Sequence, residues 1–196
     1  LTDLTGTMTV STTYTTSSSK GTYPATPGGC TSDDYEITYV PGKVTAISGD
    51  EMKIVILGTY MYNGELQKVK YTCVKPDDFK PTYDVSGDTC TDAGTYTLKL
   101  TGTGTYAGME WVEEWTIEQA PLNVKANDNT VTYGADVPVL TATFTGFVDG
   151  EDEKVLTGGS VTTTYTKGAN AGTYPITPSG YTSKNYRITF VEGTLT

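Results

Sequence analysis

Large and small side chains alternate along much of the chain. In Val161-Thr162-Thr163-Thr164-Tyr165 the odd positions carry the bulk, and in Tyr186-Arg187-Ile188-Thr189-Phe190 the even ones do. A period of two belongs to a strand with one face turned to a core. No stretch shows a helical period. Gly, Pro, Asn and Asp clusters break the chain at intervals of roughly 8–12 residues, the spacing of an all-β sandwich or barrel. One such domain takes about 70–110 residues, so a chain of 196 predicts two or three.

The pattern also repeats. At a constant offset of 151, residues 9–45 and 160–196 are identical at 20 of 37 positions. Gly21-Thr22-Tyr23-Pro24-Ala25-Thr26-Pro27 matches Gly172-Thr173-Tyr174-Pro175-Ile176-Thr177-Pro178, and Tyr35–Val40 matches Tyr186–Val191. A divergent copy lies between them. There Ala93-Gly94-Thr95-Tyr96 matches Ala171-Gly172-Thr173-Tyr174, and Tyr62-Asn63-Gly64 stands at the place of Tyr133-Gly134. Trp115–Leu122 runs from a closing strand straight into an opening one, leaving no linker. The boundaries are set at 47/48 and 119/120. Residues 120–196 are a complete copy, 48–119 a related one, and 1–47 the later half of one. The expected fold is all-β, with small β-sandwich-like (immunoglobulin-like or related) domains arranged end to end.

Composition narrows function more than fold. Forty Thr and 15 Tyr against four Phe favour strands whose outer faces hydrate. A net charge of −10 argues against nucleic acid, which needs clustered Lys and Arg. The absence of His removes Ser-His-Asp and Cys-His catalysis and imidazole metal sites. No run of about 18 apolar residues is present, so membrane insertion is not expected. The start, Leu1-Thr2-Asp3-Leu4, does not resemble a signal peptide, and the chain reads as a piece of something larger.

Ala120–Gly134, with its Thr132-Tyr133-Gly134, together with Ala171-Gly172-Thr173-Tyr174 and Asn185–Phe190, resembles the MBG domain of the Tyr-Gly type. The middle copy, through Tyr60–Gly64, Asp92–Tyr96, Gly104–Gly108 and Trp115–Ala120, resembles a bacterial immunoglobulin-like repeat. The resemblance implies tandem all-β repeats of large secreted or surface proteins of bacteria. It therefore implies an extracellular, non-catalytic stalk or adhesin segment, with neighbouring repeats of a parent protein as partners. It carries over no catalytic residue.

Several residues remain as candidate chemistry. Cys73 and Cys90, 17 apart in the middle copy, are expected to form a disulfide in an oxidising compartment. Such a bridge would contribute roughly 3 kcal/mol. The alternative is two separate small buried residues. Cys30 replaces Tyr181 of the last copy and is expected to be a free thiol. Asp149, Glu151, Asp152 and Glu153 cluster in a predicted loop, which is either solvated or a weak Ca²⁺ site. No other cofactor is expected. Trp115 is assigned to the core. Trp111, on the same strand face, is the candidate ligand-contact aromatic. The second functional reading is accordingly a carbohydrate- or protein-binding adhesin module that meets a host glycan or protein through exposed Trp and Tyr. Residues 1–47 carry an inward pattern of Val10, Thr12, Tyr14, Tyr23, Ala25, Tyr35, Ile37 and Tyr39 with no opening strands to cover it. That leaves packing on the middle copy, self-association through strand addition, or a small sheet held only by crystal packing.

Overall fold

The structure is a computed structural model, and it describes residues 4–15, 18, 21–46, 52–77 and 79–196. Among these residues the chain is all-β, with only two 3-10 turns, Gly104–Tyr106 and Glu153–Val155. It divides into two compact units, residues 1–53 with 74–81, and residues 54–73 with 82–196. The expected boundary at 47/48 lies outside the described residues.

In the first unit β1 (Thr5–Thr12), β2 (Gly21–Thr31) and β3 (Gly42–Ala46) form an antiparallel sheet in that order. Gly29 sits at φ +89°, and a Cβ there would lie 2.3 Å from the Thr7 carbonyl oxygen, so only glycine fits this close crossing of β1 and β2. Tyr35–Val40, expected as a strand, is irregular. The Tyr35 N–H donates to Ser32 Oγ (3.2 Å), and the Tyr39 hydroxyl accepts from the Cys30 N–H and donates to the Cys30 carbonyl, both at 2.7 Å. Among the described residues of this unit only Met52 and Phe79 are buried. Of the expected inward set, Tyr23, Ala25, Ile37 and Tyr39 are half-buried, whereas Val10 (62% exposed) and Tyr35 (63%) face solvent. Among the described residues of this unit no further strand is laid over the sheet to cover them.

The middle copy comprises β4 (Lys53–Leu57), β5 (Tyr60–Met61), β6 (Gln67–Lys68), β7 (Lys70–Val74), β8 (Tyr83–Ser86), β9 (Thr89–Cys90), β10 (Gly94–Gly102) and β11 (Glu110–Glu118). Its main sheet runs β5-β11-β10-β8, with β4-β7 and β6-β9 as two-stranded ladders. The alternation on β11 buries Trp111, Trp115 and Ile117 on one face, against Leu98 and Leu100 of β10. Trp115 donates its ring N–H to the Gly87 carbonyl (2.9 Å) and is met edge-on by Tyr60. Its indole nitrogen is thereby satisfied inside the core.

After Gln119 alone, the last copy begins with β12 (Ala120–Ala126). It continues with β13 (Ala142–Thr145), β14 (Thr157–Thr163), β15 (Tyr174–Thr182), β16 (Tyr186–Val191) and β17 (Gly193–Leu195). Two sheets form, β13-β12-β16 and β14-β15-β17. β12 is central, antiparallel to β13 and parallel to β16. Ala126 of β12, Tyr165, Ile176 of β15 and Leu195 of β17 share one cluster, so the core is built from both sheets. Full burial of each large aliphatic side chain contributes about 1.5–3 kcal/mol.

Candidate functional site

The most elaborate polar site among the described residues lies where the middle copy meets the last, around Gln119. β11 places Glu118 so that its carbonyl accepts from the Tyr62 N–H (2.8 Å), which fixes the Tyr62 ring at the end of the middle sheet. The loop after β13 brings in Glu151. Tyr62 Oη donates to Glu151 Oε1, and Tyr186 Oη donates to Glu151 Oε2. Tyr186 Oη also accepts from the Val148 N–H (2.8 Å). The two rings meet edge to face at 5.6 Å.

A second cluster sits beside it. The loop opening β10 supplies Asp92 and Ala93, and the turn before β16 supplies Lys184 and Asn185. Ala93 N–H donates to Asn185 Oδ1 (2.9 Å), Asn185 Nδ2 donates to Asp92 Oδ1 (3.1 Å), and Lys184 Nζ donates to Asp92 Oδ2 (2.7 Å). Gln119 Nε2 donates to the carbonyls of Ser183 (3.3 Å) and Lys184 (3.0 Å), and the Ala120 N–H donates to the Asn185 carbonyl (3.0 Å). Asn185 therefore uses its side chain on the middle copy and its backbone on β12. It starts the parallel β12–β16 ladder at the point where the two copies touch.

Charge follows this geometry. The hydrogen bond to Glu151, aided by burial, pushes the Tyr62 phenol up to about 12. Burial, and then the bond to Glu151, push Tyr186 to about 12 as well. Both phenols thus remain protonated donors at neutral pH. The Lys184 ammonium, with Asn185, holds Asp92 below its ordinary range, and Asp92 in turn raises Lys184. The site is a carboxylate gripped by two hydroxyls beside an ion pair braced by an amide. It joins the middle copy to the last.

The residues singled out from sequence fall elsewhere or act differently. Trp111 is only 6% exposed and packs edge-on against Tyr83, so it is a core residue and not the ligand-contact aromatic expected. Its strand parity with Trp115 turns it inward. The expected Cys73–Cys90 bridge is absent, and all three cysteines are free thiols. β7 ladders Cys73 to β4 while β9 ladders Cys90 to β6, and Cys73 Sγ lies 3.7 Å from the Tyr83 hydroxyl. Cys30 is half-buried on β2. The acidic loop does not converge on a cation. Glu151 is taken by the two tyrosines, Asp152 caps the 3-10 turn and pairs with Lys154 (2.7 Å), and Asp149 and Glu153 are exposed. Among the described residues no group of three or more His, Cys, Asp or Glu is placed to hold a metal ion.

Sequence reasoning missed Tyr62, Asp92, Lys184, Asn185 and Tyr186 as a unit. The available signal was the repeat itself. Tyr62 and Asp92 each adjoin a segment that recurs in the last copy, at the end of the domain from which the chain leaves.

The profile of the family described as MBG domain (YGX type) matches residues 1–45 and 122–196. No curated protein and no solved structure matches the chain.

Proposed function

The chain belongs to the MBG domain family (YGX type), a family found in surface proteins, and we propose that it is a non-catalytic structural segment of a bacterial cell-surface, adhesin-like protein. In this reading the molecule acts outside the cell as a spacer built of small β-sandwich-like repeats. Its partners are the neighbouring repeats of its parent protein.

The observation that carries the reading is the junction at Gln119. A flexible tether would leave the facing side chains solvated, whereas Tyr62 and Ala93 are buried and their polar neighbours are paired across the joint. Each neutral bond contributes about 1 kcal/mol net. Several bonds around a one-residue connection are enough to hold one orientation. Exposed aromatics give the adhesin-module reading no comparable support, because the Trp111 on which it rested is interior. On β11 the carboxylates of Glu110, Glu113 and Glu114 lie along one strand. Glu110 pairs with Lys99 (2.6 Å), and Glu113 and Glu114 are successive residues of one strand, which point to opposite faces.

The test is alignment of the intact chain in a dilute liquid crystal. Residual dipolar couplings from β10–β11 and from β12–β16 are expected to fit one common tensor. Two independent tensors would show a hinge at Gln119 and reject the spacer mechanism.

A further inference from the structure

The last copy carries at its far end an empty version of the surface that the middle copy uses at Gln119. Strand register establishes the equivalence. The repeated tyrosine of β10 lies opposite Trp115 (Tyr96↔Trp115), and that of β15 lies opposite Leu195 (Tyr174↔Leu195). Tyr60 is the parallel partner of Ile117, two beyond Trp115, and Tyr62 is two further on. Asn129 is the parallel partner of Leu195, and Tyr133 is four further on. Tyr62 and Tyr133 therefore stand at one level of the fold. The neighbouring loops agree. Tyr96 Oη donates to the Asp92 carbonyl (2.7 Å) as Tyr174 Oη donates to the Asn170 carbonyl (2.6 Å), which places Asn170 and Ala171 where Asp92 and Ala93 stand.

The two surfaces differ in cover. Tyr62 is 7% exposed and Ala93 is buried, because Glu151, Lys184, Asn185 and Tyr186 lie on them. Tyr133 is 72% exposed, and Asn170 and Ala171 are exposed. Between them opens a mostly apolar hollow of about 260 Å³, lined by Val131, Tyr133, Tyr165, Ala171, Tyr174 and Thr196.

We propose that this hollow is a docking socket for a following all-β repeat of the same type, which presents an Asn-Tyr turn and a loop carboxylate. The Ala171 N–H then donates to the turn's Asn side chain, as Ala93 does to Asn185, and the Tyr133 hydroxyl donates to the carboxylate, as Tyr62 does to Glu151. One term changes. Asn170 replaces Asp92, so the second joint holds an amide pair in place of the ion pair and is the less salt-sensitive of the two. The inference rests on the spacer reading, and it extends that reading from the joint at Gln119 to the partner that the uncovered surface of the last copy accepts.

The experiment extends the full chain. Thr116 is the register equivalent of Thr196, so residues 117–196 are appended directly after Thr196, and the original 196 residues alone carry ¹⁵N through segmental ligation. Exchange of the Ala171 amide is expected to slow at least tenfold relative to the unextended chain, and Tyr133 is expected to lose reactivity towards tetranitromethane. An Asn185→Ala change in the appended copy only should restore fast exchange at Ala171. A sibling ligation that labels only the appended copy reports its folding. An Ala171 amide as fast in the extended chain as in the original overturns the proposal, and so does an appended copy that does not fold on this surface. The Ala93 amide in the same spectra separates the two ideas. Protection at Ala93 without protection at Ala171 rejects the socket alone, whereas loss at both rejects the spacer reading.

Discussion

Residues 5–46 and 157–195 are two copies of one sequence, and from Thr9 and Ser160 onward their ladders agree, the first copy carrying a bulge between Gly6 and Thr9. Val10 faces Pro27 as Val161 faces Pro178, and Tyr23 faces Val44 as Tyr174 faces Leu195. They part further at a later segment. Tyr186–Val191 is a strand, whereas Tyr35–Val40, which shares its Tyr, Ile, Thr and Val, is irregular. The difference lies in what stands beside them. β16 bonds to β12 along its length, and among the described residues of its own unit no counterpart of β12 adjoins Tyr35–Val40. The consequences spread inward. Ile176 and Leu195 are fully buried, while Ala25 and Val44 at the matching places are half-exposed. A strand-forming sequence becomes a strand only where a partner satisfies its backbone, and the central strand of the neighbouring sheet decides whether the second sheet has a core.

The harshest way to break the comparison is to remove that partner from the complete copy. Val124 is fully buried at the centre of β12, opposite both Phe144 and Phe190. Val124→Pro removes a ladder donor from a central strand, a place where proline is not accommodated. Hydrogen exchange should then show residues 187–191 as unprotected as 36–40, while β14-β15-β17 persists as β1-β2-β3 does. Protection kept at 187–191 would mean that β16 does not depend on β12. The converse graft places residues 120–155 directly before Thr5, at the offset of the repeat. Amides 36–40 are expected to slow at least tenfold. No slowing would show that the first copy has lost more than its opening strands.

A subtler exchange tests the cores. Ile176→Ala should cost about 2–5 kcal/mol by urea denaturation, because the cavity lies in a closed core. Ala25→Ile, the reverse change at the matching half-exposed place, should stay within about 0.5 kcal/mol. Equal effects would show that the two environments are alike.

The comparison also marks how far the sequence could be read. Strand positions, the all-β class, the lack of a linker at Gln119 and the interior place of Trp115 were legible, because alternation and repetition are properties of the chain taken locally. Tyr35–Val40 was misread for the same reason: its own pattern is that of a strand, and the missing partner does not show in it. The Cys73–Cys90 spacing carried no information on which ladder each strand joins. Trp111 followed the parity that had already placed Trp115 inside, so its burial was available from the pattern. The grip of Tyr62 and Tyr186 on Glu151 was not available, since it joins residues 89 and 35 positions apart through the placement of one loop.

The smallest effect concerns that grip, and its sign can be worked out. An unfolded tyrosine ionises near pH 10, and Tyr62 and Tyr186 are pushed up to about 12 in the folded chain. Between those values the folded state holds protons that the unfolded state has lost. Their contribution is therefore complete below about pH 10 and is lost as pH rises towards 12. Thermal unfolding of the second unit should fall to lower temperature across that window. Tyr62→Phe removes one ionising group and one hydrogen bond to a half-buried carboxylate, at a cost of about 1–2 kcal/mol at neutral pH. It should also flatten the alkaline slope. Tyr83, pushed to about 12 by burial and by Cys73, lies away from the junction, so a residual slope is expected even when both Tyr62 and Tyr186 are Phe. The first copy supplies the internal reference. Tyr35, at the place of Tyr186, is exposed, so exchange at β3, which pairs with β2 away from the Tyr39–Cys30 contact, corrected for its intrinsic pH dependence, should change less than in the last copy between pH 10 and 12. If the first copy loosens in step with the second, the alkaline loss arises from net charge on the whole chain and not from the Tyr–Glu–Tyr contact.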